Sequence, residues 1–186
     1  MNILALVGSP RLGGNTDFLV DQALAEAAKL GAQTEKIVLS QYKVNPCLGH
    51  DECSDLDRCV QRDDAAWILD KFCKADGVIL ATPVYYYNVS AQLKAFIDRN
   101  YFLYNHNRKL QARVVGMIVV AEAEGIEDTV HTLKRFINES FNVAKDRILE
   151  VHGYASRLGD VRNNAPLLRQ ARELGKQMVE SLKVDG

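Results

Sequence analysis

Short, nearly all-apolar runs alternate along this chain with longer segments whose apolar residues recur every three to four positions. Residues 2–7 form the first such run and stop at Gly8-Ser9-Pro10, the pattern of a strand buried on both faces. Residues 15–30 then carry Val20, Ala23, Leu24 and Ala27 at helical spacing, with Gly31 behind them as a stop. The same alternation predicts strands over 35–40, 77–82, 113–122 and 147–153. It predicts helices over 63–74, with Ala65, Ile68, Leu69, Phe72 and Cys73 on one face, and over 90–104, through Leu93, Phe96, Ile97 and Tyr101. Two more helices fall at 128–141, with Val130, Leu133 and Ile137 in line, and at 164–182. The last has Asn164 as a cap and Pro166 in its first turn, and it turns Ala171, Leu174 and Met178 inward. Residues 40–60 remain irregular and hold Cys47, Cys53 and Cys59.

Five successive β–α units predict an α/β fold: an open, five-stranded parallel sheet with helices on both faces, three layers in all. At 186 residues one domain over 1–186 is expected, large enough to fold without disulfide staples. In such sheets ligands bind outside the carboxyl ends of the strands, which directs attention to the loops after strands one, three and four.

Composition narrows the classes. A formal net charge of −1 gives no electrostatic footprint for nucleic acid or for an anionic membrane. No apolar run approaches the roughly 18 residues of a membrane span. The opening MNILALVGSPR has no basic leader region and reads as a first strand, so a cytoplasmic protein is expected. There the four cysteines are expected as thiols, metal ligands or redox groups. No Gly-x-Ser-x-Gly elbow and no His-Glu-x-x-His motif occurs, and His106, His131 and His152 have no partner pattern for nucleophilic catalysis.

The first loop, GSPRLGGNT over 8–16, combines three glycines with Ser9, Asn15 and Thr16 as side-chain donors and leads into a helix N-terminus. Arg11 adds a charge-assisted donor. This suits a terminal phosphate. The triphosphate loop Gly-x4-Gly-Lys-Ser/Thr fails, because Gly14 and Asn15 stand where Lys and Ser/Thr belong. The dinucleotide pattern Gly-x-Gly-x-x-Gly fails too, with Pro10 at its second glycine. The other reading is a plain strand–helix turn. After the third strand, Thr82, Pro83 and Val84 make a stiff turn into Tyr85, Tyr86 and Tyr87, a platform on which a ring system can stack or a surface for subunit contact.

With GSPRLGGNT and PVYYYNVSAQLKAFIDR on the page, the chain resembles the NADPH-dependent FMN reductases of the flavodoxin-like superfamily, and its thiol-rich loop resembles that of the iron–sulfur flavoproteins. The resemblance implies a flavodoxin-like fold, FMN as cofactor, NAD(P)H as electron donor, and a homodimer or homotetramer. It assigns the FMN phosphate to Ser9, Arg11, Asn15 and Thr16. It assigns the isoalloxazine to Pro83, Val84, Tyr85, Tyr86 and Asn88, with the loop after strand four. That loop, AEAEGIED over 121–128, departs from the small, Gly-rich stretch usual in relatives. Glu122 and Glu124 facing the flavin would lower its potential; facing solvent they would do nothing.

The family's four-cysteine pattern matches Cys47, position 50, Cys53 and Cys59, and position 50 here is His. Three readings stand side by side: a 4Fe–4S cluster with His50 as fourth ligand, a zinc ion on three thiolates and an imidazole, or no metal. Cys73, on the apolar face of a helix, reads as core. The function expected is an FMN-dependent oxidoreductase or electron-transfer flavoprotein reducing a flavin, quinone or other small acceptor. The alternatives are a flavodoxin-type shuttle without turnover, and a metal- or redox-responsive binding protein using Cys47, Cys53 and Cys59 as sensor.

Overall fold

A computed structural model describes residues 1–108 and 110–184. Lys109, Asp185, Gly186 and the side chains of Asp51 and Glu52 lie outside the described residues. β1 (Asn2–Val7) is buried from Ile3 onward, as its unbroken apolar run requires of a strand with neighbours on both edges and layers on both faces. β2 (Gln33–Val38), β3 (Gly77–Pro83), β4 (Val114–Ala121) and β5 (Ile148–Tyr154) complete a five-stranded sheet in the order β2-β1-β3-β4-β5. Every neighbouring pair is parallel. This is the flavodoxin-like doubly wound order, whose switch point lies between β1 and β3.

Two cores flank the sheet. α1 (Asn15–Lys29) and α6 (Ala165–Lys183) cover one face with Leu19, Val20, Ala23, Leu174 and Met178. α2 (Ala65–Lys74), α3 (Ala91–Arg99) and α5 (Ile126–Ser140) cover the other with Ile68, Phe72, Leu93, Phe96 and Leu133. A short α4 (Tyr101–Asn105) follows α3. β4 serves both layers: Val115, Met117 and Val119 join one core while Val114, Ile118 and Val120 join the other. On the α3 side, the Phe72 ring meets Phe96 and Phe141 edge-on at 5.2 and 5.4 Å, contacts each worth about 0.5–1.5 kcal/mol beyond area burial.

Several boundaries differ from the sequence reading for physical reasons. β2 starts at Gln33 rather than 35, because its first residues pair with Asn2 and Ile3 although they are polar and exposed. It ends at Val38, where a 3-10 turn over Leu39–Gln41 takes over. The helix expected over 90–104 breaks at Asn100, whose side-chain amide donates to the Phe96 carbonyl at 2.9 Å and competes with the backbone ladder. Asp63, expected inside a helix, lies before α2 and is occupied by an ion pair described below. No described helix is long and apolar enough to cross a membrane.

Candidate functional site

The loops after β1, β3 and β4 are locked to one another at the switch point. The Gly8 N–H donates to the Ala81 carbonyl at 2.7 Å, and the Ser90 hydroxyl donates to the Gly8 carbonyl at 2.6 Å. A Cβ on Gly8 would stand 2.7 Å from Leu93 Cβ, so only glycine lets the first loop pass this close to α3. Ser90 also caps α3 by accepting from the Leu93 N–H at 3.3 Å. Thr82 Oγ1 accepts from the Ser90 N–H at 3.0 Å, which closes the 82–90 segment on itself.

The first loop curls around Ser9, buried at 4% exposure, whose hydroxyl oxygen accepts from the Arg11 N–H at 3.2 Å. Thr16 is buried in the first turn of α1, and Gly14 at the N-cap has no side chain to satisfy that turn's free N–H groups. The Arg11 side chain is exposed and has no partner among the described residues. The Asn15 side chain has partners within the chain. Its side-chain amide donates to the Arg157 carbonyl at 2.8 Å and its oxygen accepts from the Gly159 N–H at 2.9 Å, so the side chain anchors the loop after β5. What Asn15 offers an anion is its backbone N–H at the helix start.

The tyrosine segment is a tight hairpin. Tyr85 and Asn88 exchange backbone hydrogen bonds at 2.9 and 3.1 Å across Tyr86 and Tyr87, whose φ angles are +48° and +62°. Two consecutive non-glycine residues in the left-handed region make a strained turn of the kind found where function requires it. Tyr86 is 99% exposed. The loop after β4 packs against this turn through Gly125, at φ +86°, where a Cβ would stand 2.8 Å from Tyr87 Cα. The Val84 N–H donates to the Val120 carbonyl at 2.8 Å. Glu122 and Glu124 of the third loop have partners: Glu124 accepts from the Tyr87 hydroxyl at 2.9 Å, and Glu122 accepts from the Ser156 hydroxyl at 3.0 Å. The Glu124 hydrogen bond and charge push the Tyr87 hydroxyl above its ordinary value.

The thiol loop packs against α4 and the end of α3. Cys47, His50, Cys53 and Cys59 line one small hollow together with Arg99 and Phe102. Cys53 Sγ and His50 Nε2 are 3.9 Å apart, and the buried His50 Nδ1 has no hydrogen-bond partner. Burial pushes the Cys53 thiol up, with Cys59 and Cys47 adding to the effect. Three side chains that sequence reasoning passed over hold this loop. The Arg99 side chain, 1% exposed, pairs with Asp63, 0% exposed, and its Nη2 donates to Cys59 Sγ at 3.2 Å. Burial raises the Asp63 carboxyl, but hydrogen bonds from Arg99 and from the Asn45 and Ala65 N–H groups outweigh it and hold the group below the usual carboxylate range. His106 sets one ring nitrogen 2.7 Å from the Phe102 carbonyl and the other 2.7 Å from that of Leu56, joining α4 to the loop. Arg99 stands in the FIDR run and Asp63 precedes an apolar helix, but nothing in local spacing links residues so far apart. Cys73 is half-buried and packs on the α2 core, with burial pushing its thiol up.

Among the described residues no three His, Cys, Asp or Glu side chains gather tightly enough for one metal ion. A zinc ion would draw four donors to about 2.0–2.3 Å of one point, so the zinc reading finds no support. The cluster reading draws on the same four side chains around the same small hollow, and this arrangement of the described residues adds no support for it either.

A doubly wound parallel sheet in the order β2-β1-β3-β4-β5 defines a flavodoxin-like fold. The family model for NADPH-dependent FMN reductases matches residues 1–152, and the chain belongs to that family. It is 37% identical to an iron–sulfur flavoprotein of Methanocaldococcus jannaschii over 99% of this chain and 98% of that one. It is 34% identical to an iron–sulfur flavoprotein of Archaeoglobus fulgidus over 98% of this chain and 81% of that one. The solved structure of RosB with a bound 8-demethyl-8-formylriboflavin-5'-phosphate intermediate superposes with a TM-score of 0.76 at 15% identity, covering 99% of this chain and 79% of that one, a likeness of fold.

Proposed function

We propose that this chain is an FMN-dependent oxidoreductase that takes electrons from NAD(P)H and passes them to a small acceptor. The observation that carries the reading is the direct coupling of the anion loop to the tyrosine turn through Gly8, Ala81 and Ser90. A phosphate and its attached ring need two such sites held at fixed separation. Ser9, Arg11, Thr16 and the N–H groups opening α1 would hold the phosphate. Pro83, Val84, Tyr85, Tyr86 and Asn88, with the loop after β4, would border the ring. FMN supplies the hydride and electron chemistry; the protein binds it, orients it and tunes it. Tyr86, nearly fully exposed, leaves a face for a nicotinamide or acceptor, and also a surface for the partner of a homodimer or homotetramer.

The thiol loop we infer to hold an iron–sulfur cluster on Cys47, Cys53 and Cys59, with His50 in the fourth position. The placing of the four side chains on one hollow, the unpartnered His50 Nδ1 and the names of the archaeal relatives support this. Arg99 and His106 would fix the loop around it.

Anaerobically purified protein should show two flavin bands that NAD(P)H bleaches, over the broad brown shoulder that a cluster adds. Flavin that stays bound and is bleached by no nicotinamide would point to a shuttle. Iron and acid-labile sulfide per chain should fall in Cys53→Ala. Equal metal in both samples would remove the ligand assignment.

A further inference from the structure

The first loop carries a charge that an anion site should not tolerate. Asp17, the third residue of α1, is 4% exposed, and its Oδ2 accepts from the Gly13 N–H at 2.7 Å. The carboxylate shapes the turn: it holds the backbone between the two glycines that open the helix. It also places a negative charge beside the N–H groups that would receive a phosphate. One residue offsets it. Lys36 reaches from β2 and sets Nζ 2.7 Å from Asp17 Oδ1 and 2.6 Å from Asp21 Oδ1. Asp21 follows Asp17 by one turn and is half-exposed, so solvent screens it, whereas the Asp17 side chain is 6% exposed and screened mainly by this lysine.

We propose that Lys36 is a positioning residue for the flavin phosphate, and that its pairing with Asp17 sets the preference of this loop for FMN over riboflavin. The carboxylate is retained for the hydrogen bond that shapes the loop. The ammonium cancels its field, so that Arg11 and the positive end of α1 act on the phosphate unopposed. Lys36 needs no contact with the phosphate to do this. Burial disfavours its charge, but the hydrogen bonds from Lys36 to Asp17 and Asp21 outweigh that and raise its pKa, which keeps the lysine cationic.

The inference rests on FMN binding, and the test separates the two. Apo-protein is titrated with FMN and with riboflavin, following quenching of flavin fluorescence, for the wild type, Lys36→Met, Lys36→Arg, Asp17→Asn and the Lys36→Met/Asp17→Asn double variant. Lys36→Met should lose about tenfold in FMN affinity, as one uncancelled charge near a phosphate demands, with riboflavin affinity unchanged. Lys36→Arg should keep FMN affinity. The double variant should regain it, because an asparagine oxygen still accepts the Gly13 N–H without the charge. Equal losses for both flavins in Lys36→Met, or a double variant as weak as Lys36→Met, would overturn the proposal, as would unchanged FMN affinity in Lys36→Met. Wild-type protein that binds neither flavin would instead overturn the functional reading.

Discussion

Asp63 and Arg99 form an ion pair shut away from water, with their side chains 0% and 1% exposed. Removing one partner of such a pair costs about 3–5 kcal/mol, because the other charge stays buried and uncompensated. The folded carboxyl lies below its unfolded value near 3.9, so its contribution is present above that pH and is lost as pH falls through the folded value. Asp63→Asn should therefore lower the urea stability by roughly 3 kcal/mol at pH 7, and the gap to wild type should close as the pH falls through the lowered value of the folded carboxyl. A gap that is constant with pH would mean that the pair does not titrate as its surroundings require. The same variant frees Arg99 beside Cys59, so it should also loosen the thiol loop, read as faster alkylation of Cys59 in metal-free protein.

At the scale of elements, the tyrosine hairpin is built against local preference. Tyr86 has φ +48° with its ring almost wholly in solvent, so it gains little packing to offset the cost of the left-handed region. Tyr86→Gly should raise stability by about 1 kcal/mol in a urea titration and at the same time raise KM for the acceptor. Stability gained with no kinetic change would leave the strain without a use. The strands and most helices were legible because their cause is local: β4 is apolar throughout since both faces are covered, and α6 shows its inward face at every turn. The loops after β1 and β3 were legible as candidate sites for the same reason, since glycine, proline and clustered tyrosines are signals within a few residues. What was hidden depends on distant partners. The bonds that the Asn15 side chain makes with Gly159 and Arg157, 144 and 142 residues away along the chain, leave no local signal. Glu124 reads as a solvated or flavin-facing charge until the Tyr87 hydroxyl meets it. The polar start of β2 is invisible because an edge strand can be paired by backbone alone.

Across the whole molecule, the site has no single element of its own. It is a junction of three loops that depend on different strands: Gly8 bonded to Ala81, Val84 to Val120, and Gly125 packed on Tyr87. A ligand that bridges all three binds only when the sheet has assembled in its β2-β1-β3-β4-β5 order, so binding and folding are linked. At a free FMN concentration 100-fold above its dissociation constant the stabilisation is about 2.7 kcal/mol. For a domain of this size each kcal/mol shifts Tm by roughly 2–4 °C, so FMN should raise Tm by about 5–11 °C. Riboflavin at the same free concentration should raise it less, because under the proposed site it would engage the tyrosine turn and the β4 loop but leave the first loop empty. The difference between the two shifts measures the phosphate's share of the linkage. A Tm that is flat in FMN, or equal shifts for both flavins, would mean that the first loop and the aromatic turn do not grip one ligand together.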